Sequence, residues 1–154
     1  MVEHPGRIDV GLVLAGGGAR GAYEVGALSE LLPRLPEEER PNVIVGTSVG
    51  AINAAYLAGT ADMPVAEALE RGCDIWREMA WESALAPLVS FAQLRLFMRA
   101  AADALGLPGG RSWSMLDPAP LRRTLDEKVP FGGIHANVAT GRLSAAAVVA
   151  TRAS

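Results

Sequence analysis

The sequence predicts a layered α/β fold of three layers, with a mainly parallel sheet and helices on both faces. Two copies of one local pattern predict it: a short aliphatic or β-branched run, a glycine turn, then residues at helical spacing. The first copy spans Ile8 to Leu32 and the second Pro41 to Leu57. Strands that feed straight into helices pair through crossovers rather than hairpins, which makes them parallel. Composition agrees, since 154 residues that are 50% hydrophobic and 20% charged form one domain able to bury a core.

In chain order, Ile8–Leu14 reads as the first strand. Gly16-Gly17-Gly18-Ala19-Arg20-Gly21 follows as a turn, and Ala22 to Leu32 as a helix with Val25, Leu28 and Leu32 on one side. Pro41-Asn42-Val43-Ile44-Val45 has the continuous apolar character of a buried parallel strand. Gly46-Thr47-Ser48-Val49-Gly50 is the second turn, opening a helix through Leu57. A third helix is expected from Asp62 to Met79, with Asp62 as N-cap and Val65, Leu69, Cys73 and Trp76 as its apolar stripe. Ser83 to Leu105 reads as a more apolar helix with Leu88, Phe91, Leu94, Phe97 and Met98, flanked by Trp81 and Trp113; it suits either burial between layers or a cover over a lipid site. Asp117-Pro118 caps a short helix through Lys128, Pro130-Phe131-Gly132-Gly133 breaks it, and Ile134 to Thr140 forms another, closed by Gly141. Leu143 to Thr151 is expected as a buried Ala/Val-rich strand.

Several function classes are disfavoured. A net charge of −3 without a basic face argues against nucleic-acid binding. One cysteine, Cys73, cannot form an internal disulfide and points to a reducing compartment, and two histidines, His4 and His135, are too few for a zinc site. No apolar run reaches the ~18 residues of a membrane span, and Glu3, Pro5 and Asp9 break any signal-peptide pattern. The expected location is cytoplasmic, with membrane contact from outside.

The two turns carry the chemistry. In Gly46-Thr47-Ser48-Val49-Gly50, glycines two before and two after a serine let the backbone fold sharply and raise the hydroxyl above the sheet, the arrangement of a nucleophile elbow. The helix behind it presents N–H groups and a positive dipole end to an oxyanion. Gly16 to Gly21 is a glycine run before a helix, which exposes N–H groups to an anion. It also matches G-x-G-x-x-G, so a nucleotide site is an alternative. That site needs an acidic residue at the end of the second strand, which here ends in Gly46-Thr47-Ser48; Glu37, Glu38 and Glu39 precede the strand. A Ser48 triad with His135 as base and Asp117 or Asp126 as orienter is the second alternative. A non-catalytic interaction fragment is the third.

Gly16-Gly17-Gly18-Ala19-Arg20-Gly21-Ala22-Tyr23-Glu24-Val25-Gly26-Ala27-Leu28, followed by Val45-Gly46-Thr47-Ser48-Val49-Gly50-Ala51-Ile52-Asn53-Ala54, resembles the patatin-like phospholipase family. The likeness is strong over the first 60 residues and looser through Leu116–Arg123 to the last strand. It implies a lipid acyl hydrolase with Ser48 as nucleophile, an acyl-enzyme, an oxyanion hole from Gly16, Gly17, Gly18, Ala19, Arg20 and Gly21, and no metal or organic cofactor. The implied partner is a lipid or acyl-ester substrate, and Arg20 either steadies the glycine turn or meets a substrate phosphate. The resemblance also implies a Ser-Asp dyad whose aspartate lies in an Asp-Gly-Gly or Asp-Gly-Ala turn. None occurs here: Asp62, Asp74, Asp103, Asp117 and Asp126 are all followed by other residues. Residues 1–154 therefore read as the N-terminal part of such a domain, incomplete at the C-terminus and with little hydrolase activity alone.

Overall fold

The computed structural model describes residues 9–85 and 119–149. The expected helix beyond residue 85, Trp113, the Asp117-Pro118 cap and the end of the last strand lie outside the described residues.

Three parallel strands form the sheet in the order β1 (Gly11–Leu14), β2 (Val43–Thr47), β3 (Ala145–Val149). Five helices accompany them among the described residues: α1 (Arg20–Leu31), α2 (Val49–Gly59), α3 (Val65–Leu85), α4 (Ala119–Lys128) and α5 (Phe131–Ala139). Helix α2 is the hub. It touches all three strands and α1, α3 and α5, which explains why it is apolar nearly all round, as a fully surrounded helix must be. The core joins Leu14 and Ile44 of the sheet to Val25, Leu28, Ala54, Tyr56, Leu57 and Leu69 of the helices. Each large apolar side chain buried there contributes about 1.5–3 kcal/mol.

Register sorts the sheet into two faces. Leu12, Ile44 and Ala146 align on the core side, as do Leu14 and Gly46. The alternate positions, Val13, Val45 and Ala147, point the other way, and Val13 is 77% exposed. Within the described residues the core cluster lies on the first face only. Strand β3 is open at its carboxyl end: Val148 and Val149 are more than half exposed, contrary to the buried strand expected, and among the described residues β3 pairs with β2 alone.

The strands start later than expected, for a side-chain reason. Asn42 is fully buried and acts as a bracket at the amino ends of the sheet. Its Oδ1 accepts from the Val10 N–H at 2.8 Å, and its Nδ2 donates to Asp9 Oδ1 at 2.9 Å and Ser144 Oγ at 3.2 Å. Its carbonyl accepts from the Ser144 and Ala145 N–H groups. The Val10 N–H thus goes to a side chain instead of a ladder, and the Val10 carbonyl is shared by the N–H groups of Asn42 and Val43. Pro41 has no N–H to give.

Other boundaries move for similar causes. Helix α1 begins at Arg20 rather than Ala22, because Gly18 at φ +57° turns the chain and Ala19 is already helical. Asp62 does not cap α3; it lies in an exposed turn, where Met63 N–H donates to the Thr60 carbonyl, and the helix starts after Pro64. That helix runs unbroken past Met79 to Leu85. Gly132 and Gly133 sit inside α5 rather than breaking the chain. A Cβ on Gly133 would strike the Gly59 carbonyl, so this glycine serves the close approach of α5 to α2. Asn137 secures the same crossing by donating to the carbonyls of Ala58 (2.9 Å) and Gly59 (3.3 Å).

Removing the Asn42 side chain leaves the half-buried Val10 N–H without its acceptor and opens a cavity at a fully buried position, while Asp9 is exposed and keeps its bond from Ser144 Oγ. Asn42→Ala is expected to cost about 3 kcal/mol of stability, read as a lowered urea midpoint with an unchanged slope.

Candidate active site

Strand β2 ends at Thr47 and α2 begins at Val49, so a single residue reverses the chain. Ser48 does this at φ 55°, ψ −126°, and it is the only non-glycine with positive φ among the described residues. Holding it there costs about 1–3 kcal/mol, which the surroundings must supply. Those surroundings tolerate no side chains. A Cβ on Gly46 would lie 2.6 Å from the Ala51 Cα, and one on Gly50 would lie 2.6 Å from the Ala15 carbonyl oxygen. The result is an exposed hydroxyl that makes no hydrogen bond among the described residues. The Val49 N–H beside it heads α2, where no intrahelical acceptor exists and the dipole is positive.

The glycine loop lies against this turn. Because Leu14 pairs with Gly46, the carboxyl ends of β1 and β2 share one edge of the sheet. A Cβ on Gly16 would sit 3.1 Å from Ser48 Cβ and 3.8 Å from Ser48 Oγ. The loop's carbonyls are already engaged: those of Gly17, Gly18 and Ala19 accept from Arg20, Gly21 and Ala22 at 3.0–3.2 Å. The N–H groups of Gly16, Gly17 and Gly18 have no acceptor among the described residues. From Gly17 to Ala19 the carbonyls are taken while the N–H groups of Gly17 and Gly18 are left over, a pattern that suits an anion. Arg20 folds its stem over Gly17, with Cδ 3.0 Å from where a Cβ would be, and its head is exposed.

A polar chain not evident in the sequence fastens the loop. The Ala15 N–H donates to Glu24 Oε1 at 3.1 Å, and Glu24 Oε2 accepts from Asn53 Nδ2 at 3.1 Å. Asn53 also donates to the Gly21 carbonyl at 3.0 Å, and its Oδ1 accepts from Trp76 Nε1 at 3.1 Å. Four segments are tied by one buried amide. The available signal was Asn53 itself, a polar residue in the middle of an otherwise apolar helix.

The remaining candidates are elsewhere. Gly133 and Asn137 of α5 meet Ala58 and Gly59, which puts the intervening His135 beside the C-terminal end of α2. Ser48 is at the other end, about 16 Å along an eleven-residue helix, so the triad with His135 is not assembled. Asp126 is exposed on α4 near Arg122, and Asp74 is exposed on α3 near Arg77. Asp103 and Asp117 lie outside the described residues. Glu37, Glu38 and Glu39 form an exposed turn before β2, at the opposite end of the sheet from the glycine loop, so no ribose-holding acid stands where a dinucleotide site needs one. No group of three metal-ligating side chains occurs among the described residues.

Attack by Ser48 Oγ on a carbonyl carbon is the chemistry this arrangement can perform. The Patatin-like phospholipase model matches residues 12–153, nearly the whole chain.

The chain belongs to the patatin-like phospholipase family.

Both turns and the looser stretch from Leu116 fall within the matched patatin-like residues. Lysophospholipase nte1 of Aspergillus terreus (strain NIH 2624 / FGSC A1156) is 49% identical over 56 residues. That alignment covers 36% of this chain and 3% of the relative, so the chain spans a small part of the curated protein it matches. No solved structure matches it.

Strain at the serine has a direct readout. Replacing Ser48 by glycine relieves the positive φ, whereas alanine keeps the Cβ that causes it. Ser48→Gly is therefore expected to be about 1 kcal/mol more stable than Ser48→Ala in denaturant unfolding, the reverse of their order at an ordinary helical position.

Proposed function

We propose that this protein is a lipid acyl hydrolase in which Ser48 is the nucleophile. Its Oγ adds to the acyl carbon of an ester, the amides of Gly16, Gly17 and Gly18 with that of Val49 hold the oxyanion, and the alcohol portion of the lipid leaves. Water then releases the acyl group from Ser48. The observation that carries the reading is the strained, exposed Ser48 set against uncommitted glycine N–H groups. Glu24, Asn53 and Trp76 act as positioning residues, since they hold the root of the loop and the first turn of α1.

The proton from Ser48 needs an acceptor, and no described carboxylate or imidazole hydrogen-bonds to it. Residues 1–154 contain no Asp-Gly-Gly or Asp-Gly-Ala turn, and the chain by itself is expected to turn over esters slowly. Lipid reaches the site from a membrane surface or a micelle. Among the described residues no helix is long and apolar enough to cross a membrane.

A fluorophosphonate tests the reading without a full catalytic cycle. Mass spectrometry is expected to place the adduct on Ser48, with none in Ser48→Ala. Gly16→Ala pushes a methyl group against the serine and is expected to slow labelling about 10²-fold, the cost of roughly 1 Å of misplacement. An adduct elsewhere, with Ser48 unmodified, overturns the assignment.

A further inference from the structure

We infer that the cavity between α1, α2, α3 and α4 is an acyl-chain site that admits one medium-length chain and ends blindly after about eight carbons. The inference rests on Ser48 being the nucleophile, because the cavity's lining includes Val49, the residue that follows the serine, and Gly18 of the glycine loop.

Its shape follows from two matching stripes. Val49, Ile52, Asn53 and Tyr56 line one wall from α2, and Gly72, Ile75, Trp76 and Met79 the other from α3, each at spacing i, i+3, i+4, i+7. The helices run in opposite directions. Trp76 meets Asn53 through its indole N–H, and the site of a Cβ on Gly72 lies 3.1 Å from Tyr56 Cε1 and 3.2 Å from Val25 Cγ1. Met79 is therefore level with Val49, at the end of the trough where α2 begins. At Gly72 the three helices close on one another, and the trough stops. Seven residues of helix span about 10 Å, and an extended alkyl chain built from ~1.5 Å carbon–carbon bonds covers that with about eight carbons. The volume, about 300 Å³, sits at the small end of ligand pockets.

The occupant must be apolar because, past the mouth at Gly18 and Val49, the polar side-chain atoms of the lining residues already have partners, those of Thr124 and Lys128 on α4 included. Trp76 Nε1 donates to Asn53, Asn53 Nδ2 donates to Gly21 and Glu24, and the Tyr56 hydroxyl donates to the Ala68 carbonyl at 2.9 Å. Burial pushes the Tyr56 phenol up from its ordinary pKa, which keeps it neutral. What these groups show the cavity is ring face and hydrocarbon. A carboxylate or phosphate inside would meet no free donor among them, whereas each buried methylene gains about fourfold in affinity, from ~0.8 kcal/mol per CH₂.

Calorimetric titration of the Ser48→Ala chain with butanoate, octanoate and dodecanoate, below their micelle concentrations, reads the cavity without needing the nucleophile. Octanoate is expected to bind about 10²-fold more tightly than butanoate, with little further gain for dodecanoate. Ile52→Trp fills the trough midway and is expected to level the series at butanoate; Ile75→Trp serves if that variant does not fold, as judged by its melting profile. A series that climbs unchanged through both variants, or shows no dependence on length, overturns the inference. Fluorophosphonate labelling of Ser48 in the parent chain keeps the two readings apart. Levelling by Ile52→Trp with no Ser48 adduct retains the cavity and removes the nucleophile, and an adduct with no length dependence does the opposite.

Discussion

The contact of Gly50 with the carbonyl end of β1 is the constraint from which the rest follows. The first turn of α2 rests directly on Leu14 and Ala15, leaving no room for even a methyl group. That approach fixes the helix across the top of the sheet, where it can reach every strand and three other helices. It also forces the link from β2 into α2 down to one residue. Ser48 is strained because the helix is seated so tightly, and exposed because a one-residue reversal has nowhere to turn its side chain but outward.

In the proposed reaction, loop and turn divide the labour of an anion site between them. The loop at Gly16 to Gly18 spends carbonyls on α1 and retains N–H groups, while α2 contributes its unpaired leading amide. Nothing in this needs a charged side chain near the hydroxyl. The fixed dipoles cost no reorganisation when negative charge appears, which is how such donors outperform water. Their position depends in turn on Glu24, held half-buried between the Ala15 amide and Asn53.

Local backbone geometry was readable from the sequence, and tertiary contacts were not. Gly46, Ser48 and Gly50, like the run from Gly16 to Gly21, announce themselves because backbone geometry limits which residues can stand there. The parallel strands and their two helices followed from apolar spacing. Asn42 shifted the start of β2 through partners 33 and 102 positions away, at Asp9 and Ser144, and no window of sequence holds that information. Gly132-Gly133 looks like a break in one dimension and becomes a helix crossing only once Gly59 is beside it. The link from Glu24 through Asn53 to Trp76 joins three helices whose side chains have no sequential relation. Strand β3 read as buried from its composition, but exposure depends on what pairs with its far edge.

The sheet is held differently at its two ends. At the amino ends Asn42 bolts β1, β2 and the approach to β3 together inside the protein, while at the carboxyl ends bare glycines and a strained serine rely on a half-buried carboxylate. Thermal breathing therefore starts at the top. The amides of the glycine loop trade hydrogen with solvent long before those at the middle of β2, and the loop can open and reclose while the barrier to global unfolding stays untouched. The loop can therefore change shape at little cost to the scaffold below.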